Sequence, residues 1–280
     1  MTQQFTLAVD VGNTRAKFGV FETAIAAAPQ VVEISAVRLA DTEDLAHELQ
    51  QWLTNVGVSK IRCAIIAGSN PPARDSLLES WPLANSPPRL IESHVDVPIE
   101  VDVDEPARVG IDRLLTAYAA HRLFAARQTA IVVDSGTATT VNLVTSDGVF
   151  RGGSILPGLR LSAYALHDYT ARLPLINTDN IGQPVEPSDA PVPGRNTDQA
   201  IRSGLFWGQL GAIKELQSRL SFAAVEQFSD RTAPACLLTG GGGRQLSPYL
   251  SPSVYIDSLA LHGLALLSTS EKAVNSGNRG

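Results

Sequence analysis

A chain of 280 residues with 44% hydrophobic and 18% charged side chains has ordinary globular composition, and its length allows two domains that each bury a core. A net charge of −6 argues against a nucleic-acid binder, which would carry a basic stripe, yet permits a locally positive site for a small anion. The two cysteines, Cys63 and Cys236, lie in apolar runs and read as reduced core thiols, not as a disulfide framework.

The first predicted element is a hairpin. Phe5 to Val9 is an apolar run leading into Asp10, Gly12, Asn13 and Thr14, and a second β-rich run, Phe18 to Phe21, follows. Gly12 allows a tight turn and close approach of a ligand to the backbone. Backbone N–H groups with the Asn13 and Thr14 side chains suit phosphate oxygens, and Lys17 adds a point charge. Asp10, at the strand end, suits a cation or its water shell. Alone, such a hairpin is ordinary turn chemistry.

Val31 to Leu39 reads as another strand. Asp41 to Leu53 reads as a helix capped by Asp41 or Thr42, with Leu45, Leu49, Trp52 and Leu53 on one face. The continuous apolar run Ile61 to Ala67 predicts a buried parallel strand, ended by Gly68-Ser-Asn-Pro-Pro. Ser80 to Asp104 holds short strand-like pieces in no readable order. Gly110-Ile-Asp-Arg113 opens a helix to about Ala126. Asp112 falls in its first turn, where the helix dipole favours an anion; plain capping would explain it equally, and Arg113 would be a surface arginine.

The layout of the first hairpin then returns. Ala130 to Val144 repeats an apolar strand, Asp134, Gly136, Thr137, a polar turn and a second strand, which suggests two similar half-domains. Arg151-Gly-Gly-Ser-Ile-Leu-Pro-Gly158 reads as a loop pressed against a ligand or another backbone. A helix from about Leu159 to Leu166 ends near His167, whose role reads as structural. Pro174 to Arg195 carries Pro174, Pro184, Pro187, Pro191 and Pro193 and predicts a long loop of the lid or binding kind. Asn196 or Thr197 caps a helix reaching about Leu220, with Ile201, Leu205, Leu210 and Ile213 on its buried side. Cys236-Leu-Leu-Thr runs into four glycines, Gly240 to Gly243, where a flat ring such as adenine could lie on bare backbone. Asp257 to Leu267 is a final apolar helix, and the tail from Glu271 is polar and predicted to fray.

Several chemistries are absent. No G-x-x-x-x-G-K-[ST] occurs, and no G-x-G-x-x-G opens a helix, so neither a P-loop nor a Rossmann site holds the phosphates. No H-E-x-x-H, C-x-x-C or G-x-S-x-G appears. The start of the chain lacks a basic segment followed by an apolar one, and no run approaches ~18 apolar residues, which points to the cytoplasm.

Two D-x-G-x-T hairpins followed by a T-G-G-G stretch resemble the acetate and sugar kinase/Hsp70/actin superfamily. With the short length, Asp10-Val-Gly-Asn-Thr-Arg-Ala-Lys17, Gly110-Ile-Asp-Arg113, Asp134-Ser-Gly-Thr-Ala-Thr-Thr140, Gly153-Ser-Ile-Leu-Pro-Gly158 and Asn196-Thr-Asp-Gln-Ala-Ile201 together resemble type III pantothenate kinase, from about residue 5 to 267. The resemblance implies an α/β fold of two ribonuclease-H-like domains, mixed sheets flanked by helices, with a nucleotide cleft between them. Residues 1–126 and 127–280 would be the two domains. It implies transfer of the γ-phosphate of ATP to the primary hydroxyl of pantothenate, the first step of coenzyme A synthesis.

Under that resemblance, Asp10, Val11, Gly12, Asn13, Thr14, Arg15, Ala16 and Lys17 form the first ATP loop, and Thr137 contacts ATP from the second. Asp10 would help to hold Mg²⁺, and Asp134 matches the ligand of a monovalent cation, K⁺ or NH₄⁺. Gly110, Ile111, Asp112, Arg113 and Thr197 match pantothenate-binding positions, with Asp112 taking the hydroxyl proton. A homodimer with the pantothenate pocket near the subunit interface is implied as well.

Two positions depart from the family's pattern. A Tyr and an Asn-Pro pair commonly precede G-x-D-R, whereas Val101-Asp-Val-Asp-Glu-Pro106 keeps only the Pro. Asn142 stands where an Asp is common, removing one negative charge near the cations. Two other readings stay open on the same fold: a kinase for another small hydroxyl substrate, and a nucleotide-binding regulator without turnover.

Overall fold

The structure, a computed structural model, describes residues 4–24, 27–58, 60–179, 181 and 190–269. Pro184, Pro187 and the polar tail from Glu271 lie outside the described residues. The chain divides into two compact units. One comprises residues 1–124 and the C-terminal stretch from Ser258; the other is Ala125–Asp257.

In the first unit, β1 (Phe5–Val11) and β2 (Arg15–Glu22) form the expected hairpin, and β3 (Gln30–Arg38) continues it antiparallel. On its other side β1 pairs parallel with β4 (Ile61–Gly68), and β4 with β5 (Pro88–Ile91), giving the order β3-β2-β1-β4-β5. Helix α1 (Leu45–Val56) covers this sheet through Leu49 and Leu53. Its cap is Asp44, whose carboxylate accepts from the His47 N–H at 2.9 Å, so the helix begins later than a cap at Asp41 or Thr42 would set it. Thr42 instead accepts from the Asp44 N–H. Helix α2 (Pro71–Glu79) is capped by Asn70, and α3 (Ile111–Ala119) starts at the G-x-D-R motif and runs on into a wider π turn to Phe124.

The second unit repeats the plan. β7 (Ala130–Ser135), β8 (Ala138–Val144) and β9 (Val149–Pro157) are antiparallel neighbours. β7 also pairs parallel with β10 (Ala235–Thr239), and β10 with β11 (Val254–Tyr255). The order β11-β10-β7-β8-β9 is that of the first sheet, strand for strand. The short strand β6 (Glu100–Val101) precedes α3. Helix α4 (Leu159–Asp168) follows β9, and the short α6 (Gly243–Leu246) follows the glycines. Helix α5 (Thr197–Phe228) buries Ile201, Leu210 and Ile213 as expected but continues two turns past Leu220, ending where Ser229 turns left-handed at φ 56°.

The last helix, α7 (Leu259–Thr269), corrects the division at 126/127. It is apolar almost all round, and such a helix must be covered on more than one side. It belongs to the first unit, against β1 and α3. Gly263 there lies so close to the Leu115 carbonyl that a Cβ would overlap it, and Thr6 donates to the Ser268 hydroxyl at 3.0 Å. Cys63 and Cys236 are free thiols, and burial pushes the Cys236 thiol up to about 11 despite a hydrogen bond from Gln217. Among the described residues no helix is long and apolar enough to cross a membrane.

A buried carboxylate ties the base of the second unit. Asp230 accepts from the Thr129 hydroxyl and the Ser146 N–H, both at 2.6 Å, and from the Thr232 N–H and hydroxyl at 3.0 and 2.8 Å. Burial alone would raise its pKa, but these four hydrogen bonds outweigh burial and hold it well below the usual carboxylate range. A depressed folded-state pKa contributes stability above the unfolded value and loses it as pH falls through the folded one. Asp230→Asn is therefore expected to lower unfolding free energy at neutral pH by about 1–3 kcal/mol, the cost of unmaking hydrogen bonds to a buried charge. In urea titrations, the gap between wild type and variant should shrink as pH drops below ~4. A gap independent of pH would show that Asp230 is not ionised in the fold.

Candidate active site

The first hairpin carries its motif as the sequence suggests. The Gly12 N–H donates to the Arg15 carbonyl at 2.9 Å, closing a turn over Asn13 and Thr14. Asn13 is exposed at the tip, and Val11 and Ala16 are buried at its base. A Cβ on Gly12 would sit 3.2 Å from the Arg15 carbonyl, so this residue must be small for the turn to close as it does. Asp10 and Lys17 are paired across the ladder, and their charged groups stand 4.0 Å apart. Asp10 is only 6% exposed, whereas Lys17 reaches further towards solvent. A buried carboxylate at a strand end, with a cation beside it, suits metal-bound phosphate oxygens.

In the same unit, Gly110 is the N-cap of α3, and its carbonyl accepts the first helical bonds from Arg113 and Leu114. Ile111 is buried and anchors the turn, while Asp112 and Arg113 are half-buried. One Asp112 oxygen accepts from the Arg113 N–H at 2.8 Å, within the first turn of the helix. Burial draws the Arg113 guanidinium below its ordinary value, with the neighbouring Asp112 charge opposing; an arginine stays protonated through such a shift. Arg113 is therefore not the surface arginine that the plain reading makes it. The segment before Gly110 is β6 and a 3₁₀ turn, Pro106–Arg108, with an exposed Glu105–Arg108 pair at 2.8 Å.

The second unit presents a hairpin of the same type with different surroundings. Thr137 is exposed at the tip of a tight turn in which the Gly136 N–H donates to the Ala138 carbonyl at 3.0 Å. The Gly158 N–H donates to the Thr137 carbonyl at 3.0 Å, and a Cβ on Gly158 would overlap the Gly136 carbonyl. The segment from Arg151 is strand β9, not the loop the sequence suggests, and its end at Gly158 is pressed on another backbone. Opposite Asp134 stands Thr140, a neutral residue where the first hairpin has Lys17. Asn142 is wholly buried and donates to the Thr140 hydroxyl at 3.0 Å.

The four glycines answer in part to another cause than a bound ring. Gly240 has φ +81°, and a Cβ there would overlap the Asp134 carboxylate and the Ser135 carbonyl. Gly242 donates its N–H to the Ser135 carbonyl at 2.9 Å and has no room for a Cβ beside the Ser135 hydroxyl. Gly243 faces the Tyr255 ring. Gly240 and Gly242 are therefore required by packing on Asp134–Ser135, whereas Gly241 is exposed. Thr197 is exposed in the first turn of α5, after Asn196, whose side chain accepts from the Gln199 N–H at 2.9 Å.

The motifs do not single out Gln209. It lies on the buried side of α5, four residues after Leu205, and its amide bonds Thr139 of the second hairpin at 2.6 Å. A polar residue interrupting the apolar stripe Ile201, Leu205, Leu210, Ile213 is the signal that could have found it.

The sequence model described as type III pantothenate kinase matches residues 6–219. A type III pantothenate kinase from Gluconobacter oxydans is 36% identical over 91% of this chain and 91% of its own length. One from Rhodospirillum rubrum is 34% identical over 93% and 96%, and one from Paramagnetospirillum magneticum is 37% identical over 84% and 85%. Among solved structures, a conserved protein of the Baf transcriptional-activator family from Campylobacter jejuni superimposes with TM-score 0.54 at 18% identity over 94% of this chain and 96% of its own. The activator of 2-hydroxyisocaproyl-CoA dehydratase from Clostridium difficile does so with TM-score 0.52 at 14% identity over 98% and 97%. These two share the fold.

The glycine packing has a direct test. Gly240→Ala adds a clash to a left-handed backbone and should cost about 1–3 kcal/mol more than Gly57→Ala. Gly57 has φ +73° with open space around its Cβ position, so its substitution carries only the backbone penalty. Equal losses of the two variants in chemical denaturation would remove close packing as the reason for Gly240.

Proposed function

The chain belongs to the type III pantothenate kinase family, and on that premise we propose that Asp112 accepts the hydroxyl proton of pantothenate while the two hairpins hold ATP. The reaction is ATP-dependent phosphorylation of pantothenate to 4'-phosphopantothenate, the first step of coenzyme A biosynthesis. The observation that carries the assignment is the juxtaposition of Asp112 and Arg113 in the first turn of α3. One is a carboxylate able to take a proton, the other a half-buried guanidinium able to hold the carboxylate of an anionic substrate with two hydrogen bonds. Successive helix positions point about 100° apart, so the two can serve different ends of one elongated molecule.

In the transfer, the pantothenate hydroxyl oxygen forms a bond to the γ-phosphorus, and the bond from that phosphorus to the β,γ-bridging oxygen breaks. ADP departs, and the hydroxyl proton passes to Asp112. Such a transfer needs positioning and charge neutralisation more than covalent help. Asp10 to Lys17 and Thr137 contact ATP; Gly110 to Arg113 and Thr197 bind pantothenate. Family membership implies a divalent metal with ATP, and we take it to be Mg²⁺, held by Asp10 with the phosphates and water. The fit is sound: Asp10 is a hard oxygen donor, and Mg²⁺ commonly takes one or two carboxylates. Bound there, it would neutralise phosphate charge.

Asp134 fits a monovalent cation, K⁺ or NH₄⁺, for a reason internal to the chain. Its cross-strand partner is neutral Thr140, where Asp10 has Lys17. With Asn142 in place of an Asp, the face of β8 that meets Asp134 carries amide and hydroxyl groups, which suit a singly charged ion better than a doubly charged one. The same reading takes the protein to be a cytoplasmic homodimer with the pantothenate pocket near the subunit interface.

Purified protein with ATP, Mg²⁺ and K⁺ should release ADP only when pantothenate is present, with phosphopantothenate seen by mass spectrometry. Asp112→Asn should leave nucleotide binding intact and cut kcat by about 10²–10⁴-fold, the usual range for a lost general base. Near-normal turnover in that variant would remove Asp112 from the mechanism. Exchange of K⁺ for Na⁺ should weaken activity; indifference to the exchange would count against the role of Asp134.

A further inference from the structure

We propose that Gln209 is a positioning residue that fixes the second phosphate turn through the Thr139 hydroxyl and the Pro157 carbonyl. The proposal rests on the reading of Thr137 as an ATP contact. Gln209 projects from α5 and is 7% exposed. Its Nε2 lies 2.6 Å from Thr139 Oγ1 and 3.4 Å from the Pro157 carbonyl. Those two partners bracket Thr137. Thr139 is the second residue after it on β8, is wholly buried, and its hydroxyl donates a hydrogen bond to Ser135 Oγ at 3.4 Å, on the opposite strand of the hairpin. Pro157 pairs with Ala138 and precedes Gly158, whose N–H holds the Thr137 carbonyl. One amide group therefore bonds β8 directly, reaches β7 through Thr139, and meets the end of β9 that leads to Gly158.

The amide orientation follows from chemistry. The Pro157 carbonyl can only accept, so the nitrogen must face it; Thr139, accepting from that nitrogen, is free to donate to Ser135. Gln209 Oε1 is left buried without a hydrogen-bond partner. A buried position on the apolar side of α5 would be filled at lower cost by Leu or Met, because an unsatisfied acceptor destabilises the fold. A stability-neutral or costly amide that grips the base of a phosphate turn is explained by function, not by packing.

The test uses the full chain and three variants: Gln209→Met, which keeps the shape and removes the hydrogen bonds, Thr139→Val, and the two combined. Thermal unfolding, the dissociation constant for ADPNP by calorimetry, and separate KM values for ATP and pantothenate are measured on each. Gln209→Met is expected to unfold at or above the wild-type temperature. Its kcat/KM for ATP should fall about 10- to 100-fold, the scale of a ~1 Å misplacement, with the pantothenate KM unchanged. Thr139→Val should lose as much, and the double variant no more than either, because both break one chain of hydrogen bonds. A lowered unfolding temperature with wild-type constants for both substrates overturns the proposal, as does full additivity. Should Gln209→Met fail to fold, Thr139→Ser and Thr139→Val decide: the hydroxyl-keeping variant must stay well above the other in ATP kinetics, and equality overturns the proposal. If wild type does not phosphorylate pantothenate, that reading of the reaction falls, while the ADPNP constants still decide the role of Gln209. If wild type binds no ADPNP, the proposal falls with the ATP contact at Thr137.

Discussion

Each unit hangs on one strand that is buried on both faces and bonded on both edges. β1 and β7 each take an antiparallel partner on one side and a parallel one on the other. Such a strand must be apolar nearly throughout, and Leu7 to Val9 and Ile131 to Val133 are. Polar chemistry can enter only at the strand's C-terminal end, where the chain leaves the core. Asp10 and Asp134 stand at that end of the two central strands. On the proposed reading, the rule that ligands of open α/β sheets gather at the carboxyl ends of strands is met twice in one chain for the same reason.

The duplication is of plan, not of detail, and the differences carry the chemistry. The first hairpin pairs its aspartate with Lys17, and its turn is met from outside by the Leu39 N–H on the Thr14 carbonyl and by Gly68 and the Asn70 N–H on Val11. In the second, the aspartate's cross-strand partner is the neutral Thr140, and the turn is met by Gly158 on one side and by Gly240 and Gly242 on the other. Backbone laid directly on backbone cannot slide without breaking N–H to carbonyl bonds, and any side chain at these glycines would lift the layers apart. The first hairpin thus sets a protein cation beside its carboxylate, and the second sets a neutral hydroxyl residue there.

Much of this was legible in the sequence because it is local. Apolar runs and turn glycines give β1, β4, β7, β8 and the start of α3 to within a residue or two, and β2 apart from its first three residues. The G-x-D-R turn is legible too, since a first-turn aspartate has few local roles. What the sequence hides is non-local. The return of α7 to the first unit is decided by which surface covers a helix apolar on every side, and nothing in Leu259 to Leu267 names that surface. The cap at Asp44 rather than Asp41 depends on where the chain leaves β3. The continuation of α5 past Leu220 reflects the absence of any glycine or proline there together with the knot at Asp230. The roles of Gly240 and Gly242 could be read as room for a ring only because the residue they lie against, Ser135, is a hundred positions away.

Helix α5 joins these distant pieces. At 32 residues it is ~48 Å long at 1.5 Å per residue. Its first turn presents Thr197, its third and fourth turns bring Gln209 to the second hairpin, and its end leads into Ser229 and the Asp230 knot on Thr129 and Ser146. The knot fixes the entry to β7 and the β8–β9 turn, which are the roots of the same hairpin whose tip Gln209 grips. The hairpin is thereby fastened at base and tip by one continuous helix. A helix bends little over this length without proline or a π bulge. Asp230 lies just past the end of α5, about six turns beyond Gln209 at 3.6 residues per turn. The hairpin is thus fastened at two separate places, one just beyond the helix end and one within the helix.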